Sequence, residues 1–268
     1  RGGGQLHPRP ARLDRSGRTV ATDRPDPAPI YAGSIRAEEI PAELQLAPGT
    51  ATTLRGALGD ALNYLNRETH GAIIGGAADL LGSTSVTNLA RGFPAGFFHS
   101  ETNPGSRLVA CGGIAEDAMG AFMTGVSAYG RHVGAGASYG AFIAALEHVA
   151  ARLHAIGQQA RHDLTGEPGR PFILICAHAG LKTGEDGPTH ADPQALQLLQ
   201  ENFPRGSAIT LTPWEPQELW PLLMAALRHR PAVVAPFVTR PNEVVPDRTA
   251  LGLPPATASA EGVYALRR

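Results

Sequence analysis

Four places in this 268-residue chain set ionisable or hydrogen-bonding side chains at the ends of apolar runs. Asp79 and Ser83 follow "AIIGGAAD", and Glu116 follows "LVACGGIA". His178, Asp186 and His190 follow "FILICAH", and Arg240 follows "VVAPFVT". These residue types suit proton transfer and oxyanion binding. Imidazole donates or accepts near neutral pH, and the guanidinium fork matches phosphate oxygens. Each alone also has a plain structural use, because Ser and Asp cap helices and a strand-end His is ordinarily hydrogen-bonded. The polar stretch "KTGEDGPTHADPQAL", Lys182 to Leu196, poses the same choice, since Gly187 and Pro188 are ordinary turn residues.

The elements that must position these groups alternate between helix and strand. Leu54, Leu58, Leu62 and Leu65 recur at steps of three or four, so "TLRGALGDALNYLNRE" reads as an amphipathic helix. "GAIIGGAADL" reads as a buried strand entering a Gly-rich turn, and "SRLVACGGI" as a second strand. A helix starts at Glu116, with Met119, Phe122, Met123 and Val126 on one face, and "RHVGAGAS" carries a weak strand signal. Phe142, Leu146, Val149, Leu153 and Ile156 form the most regular helical stripe, and "GQQARHDLTGEPGR" after it reads as a surface insertion. "RPFILICAH" is the clearest central strand, with a helix through "PQALQLLQENF" beyond the polar stretch. "SAITLTP" and "PAVVAPFVTR" are strands around the helix "PQELWPLLMAALRHR", with Pro213 and Pro216 near its start, where proline is tolerated. The pattern predicts an α/β fold: a mostly parallel sheet with helices on both faces, whose ligands sit beyond the carboxyl ends of the strands.

Composition bounds the function classes. Hydrophobic residues make up 43% and charged residues 18%, with a formal net charge of -1, which fits a globular protein with no nucleic-acid or membrane partner. No apolar run approaches the ~20 residues of a membrane helix, and Cys111 and Cys176 each sit in apolar runs, so a reducing, cytoplasmic setting is expected. Residues 1–51, rich in Pro, Gly and Arg, read as a linker or arm. Residues 52–246 form the folding core, and 247–268 a second linker. The chain opens on Arg1, and we expect one domain of a longer polypeptide, a split-gene subunit being the alternative.

The strand ends also carry a resemblance. "GGAADLLGSTSVTN" resembles the "GGSADL" segment of transketolases, "GGIAEDAMGAFMTGVSAYG" resembles their "GIREHAMGAIMNGI", and "GEDGPTH" is identical to their substrate loop. The three occur in the right order, so the chain resembles the pyrimidine-binding domain of a thiamine-diphosphate-dependent enzyme, with that family's fold. The resemblance implies that Glu116 faces a ring nitrogen of the cofactor's aminopyrimidine. An apolar setting from Cys111–Ile114 and Ala118–Phe122 would favour its protonated form. A Glu offsetting a helix dipole is the rival reading. "SYGAFIAA" is similar to the family's "TFLNFVSY" and implies Tyr139 and Phe142 as an aromatic seat, with Ala145 at the third position; a core role for Phe142 is the alternative. Asp79 falls on the cofactor side. Asp186 is implied to bind a sugar hydroxyl, and His178 and His190 to bind hydroxyls or move protons near the reacting carbon. Arg55, Ser83 and Arg240 match the family's phosphate grip.

There are departures. Ala115 and Asp117 replace the Arg and His of "REH", and "HAGLKTGED" replaces "HDSIGLGED". No "GDG" with a downstream Asn is present, so no metal site is expected here. The divalent metal, Mg2+, and the diphosphate are expected on a domain outside this chain, in the same polypeptide or a separate subunit. The expected assembly is a homodimer or heteromer acting on sugar phosphates, in which this domain contributes to transfer of a two-carbon ketol unit. The alternatives are a phosphoketolase-, deoxyxylulose-phosphate synthase- or 2-oxo-acid dehydrogenase-like module, and a degenerate dimerisation domain.

Overall fold

The computed structural model describes residues 24–146, 152–179, 187–188, 190, 194–201 and 203–266. The elements run α1 (Ala28–Tyr31), β1 (Ala51–Thr53), α2 (Leu54–Glu68), β2 (Ile73–Ala77), α3 (Glu116–Tyr129), β3 (Val133–Tyr139) and α4 (Ile143–Leu146). They continue with α5 (His154–Thr165), β4 (Phe172–Ala177), α6 (Gln194–Glu201), β5 (Ala208–Leu211), α7 (Leu219–Arg228), β6 (Val233–Val238) and β7 (Asn242–Val244). Five strands form a parallel sheet in the order β2-β3-β4-β6-β5, while β1 and β7 pair antiparallel beside it. The expected α/β architecture is what forms.

The period-2 alternation of strand side chains explains the layers. On β4, Ile173 and Ile175 join Leu58, Leu62 and Leu65 of α2 and Leu223 and Leu227 of α7 in one buried cluster. Phe172, Leu174 and Cys176 of the same strand face the other way, onto Met119 and Met123 of α3 and Leu146 of α4. Burial raises the thiol pKa of Cys176, which behaves as an inert core residue. The weak signal at "RHVGAGAS" becomes a fully buried strand because its small residues serve packing: a Cβ at Gly134 would overlap the Met123 carbonyl. Small side chains on β3 thus let α3 lie close against the sheet.

Three sequence expectations need correction. "SRLVACGGI" is not a strand: it makes a single parallel bridge, Gly75 to Leu108, and then turns through Gly112 (φ 81°) and Gly113 (φ 152°) toward α3. Nor is the Phe142–Ile156 stripe a core face. Leu146 is buried, but Phe142, Leu153 and Ile156 are 42%, 62% and 58% exposed, and Val149 lies outside the described residues. α5 instead buries His154, Ala155 and Gln158. Finally, much of "GQQARHDLTGEPGR" is the body of α5, where the Gln158 side chain accepts from the Arg170 amide at 2.9 Å.

His154 makes the sheet's base pH-sensitive. Its Nε2 donates to the Arg170 carbonyl at 2.9 Å, and burial holds its pKa below the usual imidazole value, against the opposing effect of its backbone hydrogen bonds. His132 is lowered too, by burial and then by Arg107 and Arg131. The unfolded chain therefore binds more protons than the folded one just below pH ~6.5, so stability rises with pH through that window and levels above it. We expect the melting temperature of His154→Gln to show a shallower rise than wild type below pH ~6.5. Parallel profiles for the two proteins would refute this assignment.

Residues 24–50 lie on the α7 side. The Trp220 indole donates to the carbonyls of Arg36 and Glu39, at 3.0 and 2.8 Å, and Ile30 and Ala37 are buried. At the other end, Arg248 donates to Glu215 at 2.9 Å, to Glu218 at 2.6 Å and to the Pro254 carbonyl at 2.9 Å, pinning the chain that follows β7.

Candidate active site

The carboxyl ends of β2, β3, β4 and β6 gather most of the residues singled out above. Arg55 is set by the start of α2. The Thr53 side chain caps that helix by accepting from the Gly56 amide at 2.9 Å, which places Arg55 in the first turn, beside the β2 exit. From there Nη1 donates to the Ser83 carbonyl and lies 2.7 Å from Nε2 of His178. Nε2 also lies 3.1 Å from the Ser83 carbonyl, which closes a triangle: a bare Nε2 accepts from Arg55, and a protonated Nε2 donates to the carbonyl. Ser83 therefore enters through its main chain. The turn that carries it bends through positive φ at Leu80 (39°) and Ser85 (58°).

His178 is fully buried and has a φ of 54°, an uncommon left-handed conformation for a residue with a side chain. The backbone bends immediately after β4, and the imidazole lies flat on Tyr139 at the end of β3, with centroids 4.2 Å apart and planes 14° off parallel. His190 then meets Tyr139 edge-on at 5.5 Å and Phe142 edge-on at 5.6 Å. The result is a patch of four rings, Tyr139, Phe142, His178 and His190. Tyr139 is buried, while Phe142, at 42% exposed, presents apolar surface outward, which is how a ring-stacking seat looks and a core residue does not.

Glu116 is the first residue of α3, and its Oε1 accepts from Ser138 Oγ at 3.2 Å. Ser138 is a buried polar residue on β3, directly before Tyr139, and the sequence reading missed it. Its signal was a hydroxyl within an Ala/Gly strand one step from its carboxyl end. The apolar enclosure expected around Glu116 is not supplied by these residues alone, because Ile114 and Phe122 are 72% and 49% exposed. Asp79 stands half-buried just past β2, and Arg240 stands half-buried just past β6 on the same rim. Asp186 and most of "GEDGPTH" lie outside the described residues; only Gly187, Pro188 and His190 of that motif fall within them.

The arrangement offers a hydrogen-bonded carboxyl, an open aromatic face and an imidazole–guanidinium pair on one rim. The aromatic face and the carboxyl suit a flat nitrogen heterocycle such as an aminopyrimidine. Among the described residues no His, Cys, Asp and Glu side chains gather in a group that could hold a metal ion. Comparison with known proteins bears on the same rim. Residues 50–242 match the family described as transketolase, pyrimidine binding domain. Transketolase 1 of Saccharomyces cerevisiae is 33% identical over 132 residues, covering 46% of this chain and 16% of that protein. The Pichia stipitis transketolase in complex with sedoheptulose-7-phosphate is 25% identical, with a TM-score of 0.59, over 77% of this chain and 29% of that one. The Leishmania mexicana transketolase shares the fold at 24% identity and a TM-score of 0.57, over 80% of this chain and 29% of that one. This chain spans less than a third of the length of these relatives. With the matched residues running from before α2 to the start of β7, and so carrying the whole rim, the chain belongs to the transketolase pyrimidine-binding domain family.

Proposed function

We propose that this chain supplies the pyrimidine-facing and sugar-facing half of an enzyme that moves a two-carbon ketol unit between sugar phosphates. Thiamine diphosphate supplies, when bound, the nucleophilic carbon that accepts the ketol unit. The observation that carries the reading is the meeting of Arg55, His178 and the Ser83 carbonyl beside the ring patch, on the same rim as Glu116.

In this reading Glu116 holds a proton toward the ring nitrogen, with Ser138 occupying Oε1 so that Oε2 is the working oxygen. Phe142 seats the heterocycle, and Tyr139 backs the imidazole of His178. In this reading His178, against Arg55, belongs with Arg240 in the phosphate grip, and His190 acts near the reacting carbon. Asp186 retains its proposed part at a sugar hydroxyl, and Asp79 its part on the cofactor side. A diphosphate-binding unit holding Mg2+, in the same polypeptide or another subunit, completes the site in a dimer or heteromer in the cytoplasm. Solved relatives bind sedoheptulose-7-phosphate and fructose-6-phosphate, which supports ketose phosphates as the substrate class.

The test is a donor comparison in the completed enzyme. A charge-assisted arginine–phosphate contact contributes about 1.5–3 kcal/mol, so Arg240→Gln should raise KM for a ketose phosphate by roughly 10- to 100-fold. KM for the same ketose without phosphate should change little. Equal loss on both donors would remove Arg240 from the phosphate grip, and turnover of 2-oxo acids in place of ketoses would overturn the reaction class.

A further inference from the structure

The end of the sheet opposite the rim holds a second cleft, of about 400 Å³, between α1, the C-terminal ends of α3 and α5, and the entrances of β3, β4 and β6. That volume lies within the usual range of small-molecule sites. Most of the polar side chains that line it are hydrogen-bond donors: Tyr31, Ser127, His132, Arg161, Arg170 and Arg230. Cations at helix C-terminal ends are commonplace, and part of this charge is so used, since Arg170 Nη1 donates to the Ala128 carbonyl at the end of α3. The rest is not. Among the described residues Arg230 bonds only through Nε, to the Gly169 carbonyl at 3.0 Å, while its guanidinium lies 4.5 Å above the Tyr31 ring, which holds the fork in place.

Two carboxylates, Asp26 and Glu167, also line the cleft, and each has one oxygen already engaged. Glu167 pairs with Arg161, and Asp26 accepts from the Ala28 amide at 2.9 Å. Ser127 is 1% exposed; its oxygen accepts from the Gly134 amide at 2.8 Å, and among the described residues its own proton has no acceptor. The same holds for the Tyr31 hydroxyl. Burial, and then the charges of Arg161 and Arg170, lower the pKa of Arg230, opposed by Tyr31 and Glu167; a bound anion would add to that opposition. A buried hydroxyl with a proton to give, a second hydroxyl and three arginines against two carboxylates form a cleft whose donors outnumber its acceptors.

We propose that this cleft binds a phosphate group, free or carried by a small molecule, at a site separate from the rim. The oxygens of the anion would accept from Arg230, Arg170 and the Ser127 and Tyr31 hydroxyls, each a charge-assisted or neutral bond of ordinary type.

The test is calorimetric titration of the full chain with pyrophosphate, inorganic phosphate and a sugar monophosphate, in chloride buffer at matched ionic strength. Arg230→Gln should weaken pyrophosphate binding at least tenfold. Tyr31→Phe keeps the ring under Arg230 and removes only the hydroxyl, so it should weaken binding several-fold with an unchanged melting temperature. It tests the site even if Arg230→Gln fails to fold. Arg240→Gln, at the opposite rim, should leave this binding intact. A sugar monophosphate that binds more tightly than phosphate assigns the cleft to phosphorylated small molecules, and the reverse order assigns it to the free anion. No heat above the chloride control, binding unaffected by Tyr31→Phe and Arg230→Gln, or binding lost only in Arg240→Gln would each overturn the proposal. The last result would place the anion at the rim and leave the proposed function standing.

Discussion

Glu116→Gln is expected to lower kcat of the completed enzyme by roughly 10²- to 10⁴-fold, the usual range for removing a positioned acid–base group. The amide matches the carboxyl in shape, and its oxygen can still accept from Ser138 Oγ, so the local packing stays in place. What is lost is an acidic proton that can be shared with a ring nitrogen. A helix-dipole role for Glu116 predicts something else: a stability loss of about 0.3–1 kcal/mol with activity largely kept. Steady-state kinetics and a melting curve on one preparation separate the two, and near-wild-type turnover would falsify the catalytic assignment. Ser138→Ala provides an internal comparison, since it frees Oε1 without touching the carboxyl. A smaller kcat loss with a displaced pH profile is the signature of a positioning residue.

Arg248→Met should cost about 3–5 kcal/mol of stability. Glu215 and Glu218 are both nearly fully buried, and Arg248 engages both while Tyr264 Oη donates to Glu218 and lies 3.0 Å from Arg248 Nη1. Methionine fills similar space but leaves two desolvated carboxylates facing each other. Burial already raises the Glu215 pKa, opposed by its hydrogen bonds to the Gln217 amide and Arg248 and by the charge of Arg248. Without the arginine the folded state binds a proton more readily still, so the stability deficit should shrink as pH falls. Urea unfolding at pH 7 and pH 5 measures this, with Trp214, whose ring lies 5.3 Å from the Arg248 guanidinium, as the fluorescent reporter. A deficit under about 1 kcal/mol at pH 7 would mean the cluster is solvated and of the weak, exposed kind.

The site was legible in the sequence to different depths. Glu116, His178 and His190 stand out locally, because each follows an apolar run or falls in a recognisable motif. Phe142 was ambiguous, since a helical stripe and a ring seat place an aromatic at the same position; its exposure speaks against the core face. The "SRLVACGGI" segment was misread because apolar runs of four to eight residues do not distinguish a strand from an extended passage, and two glycines with positive φ end this one. β3 was undervalued for the opposite reason. Its glycines and alanines score poorly as strand formers, yet close approach of α3 requires small residues there.

By itself, the sequence determined the alternation of elements, the buried face of α2, the apolar strands and the chemistry waiting at their ends. All of these rest on spacing within a few residues, where a period of 3.6 or 2 translates directly into a face. Tertiary structure alone decided the strand order β2-β3-β4-β6-β5, and with it every pairing across that order. Arg55 meets His178 across 123 positions, Ser138 reaches Glu116 across 22, and Arg170 and Arg230 line one cleft with Tyr31. No local pattern encodes such partners, because they are set by which strands lie side by side and in what register, a property of the assembled core.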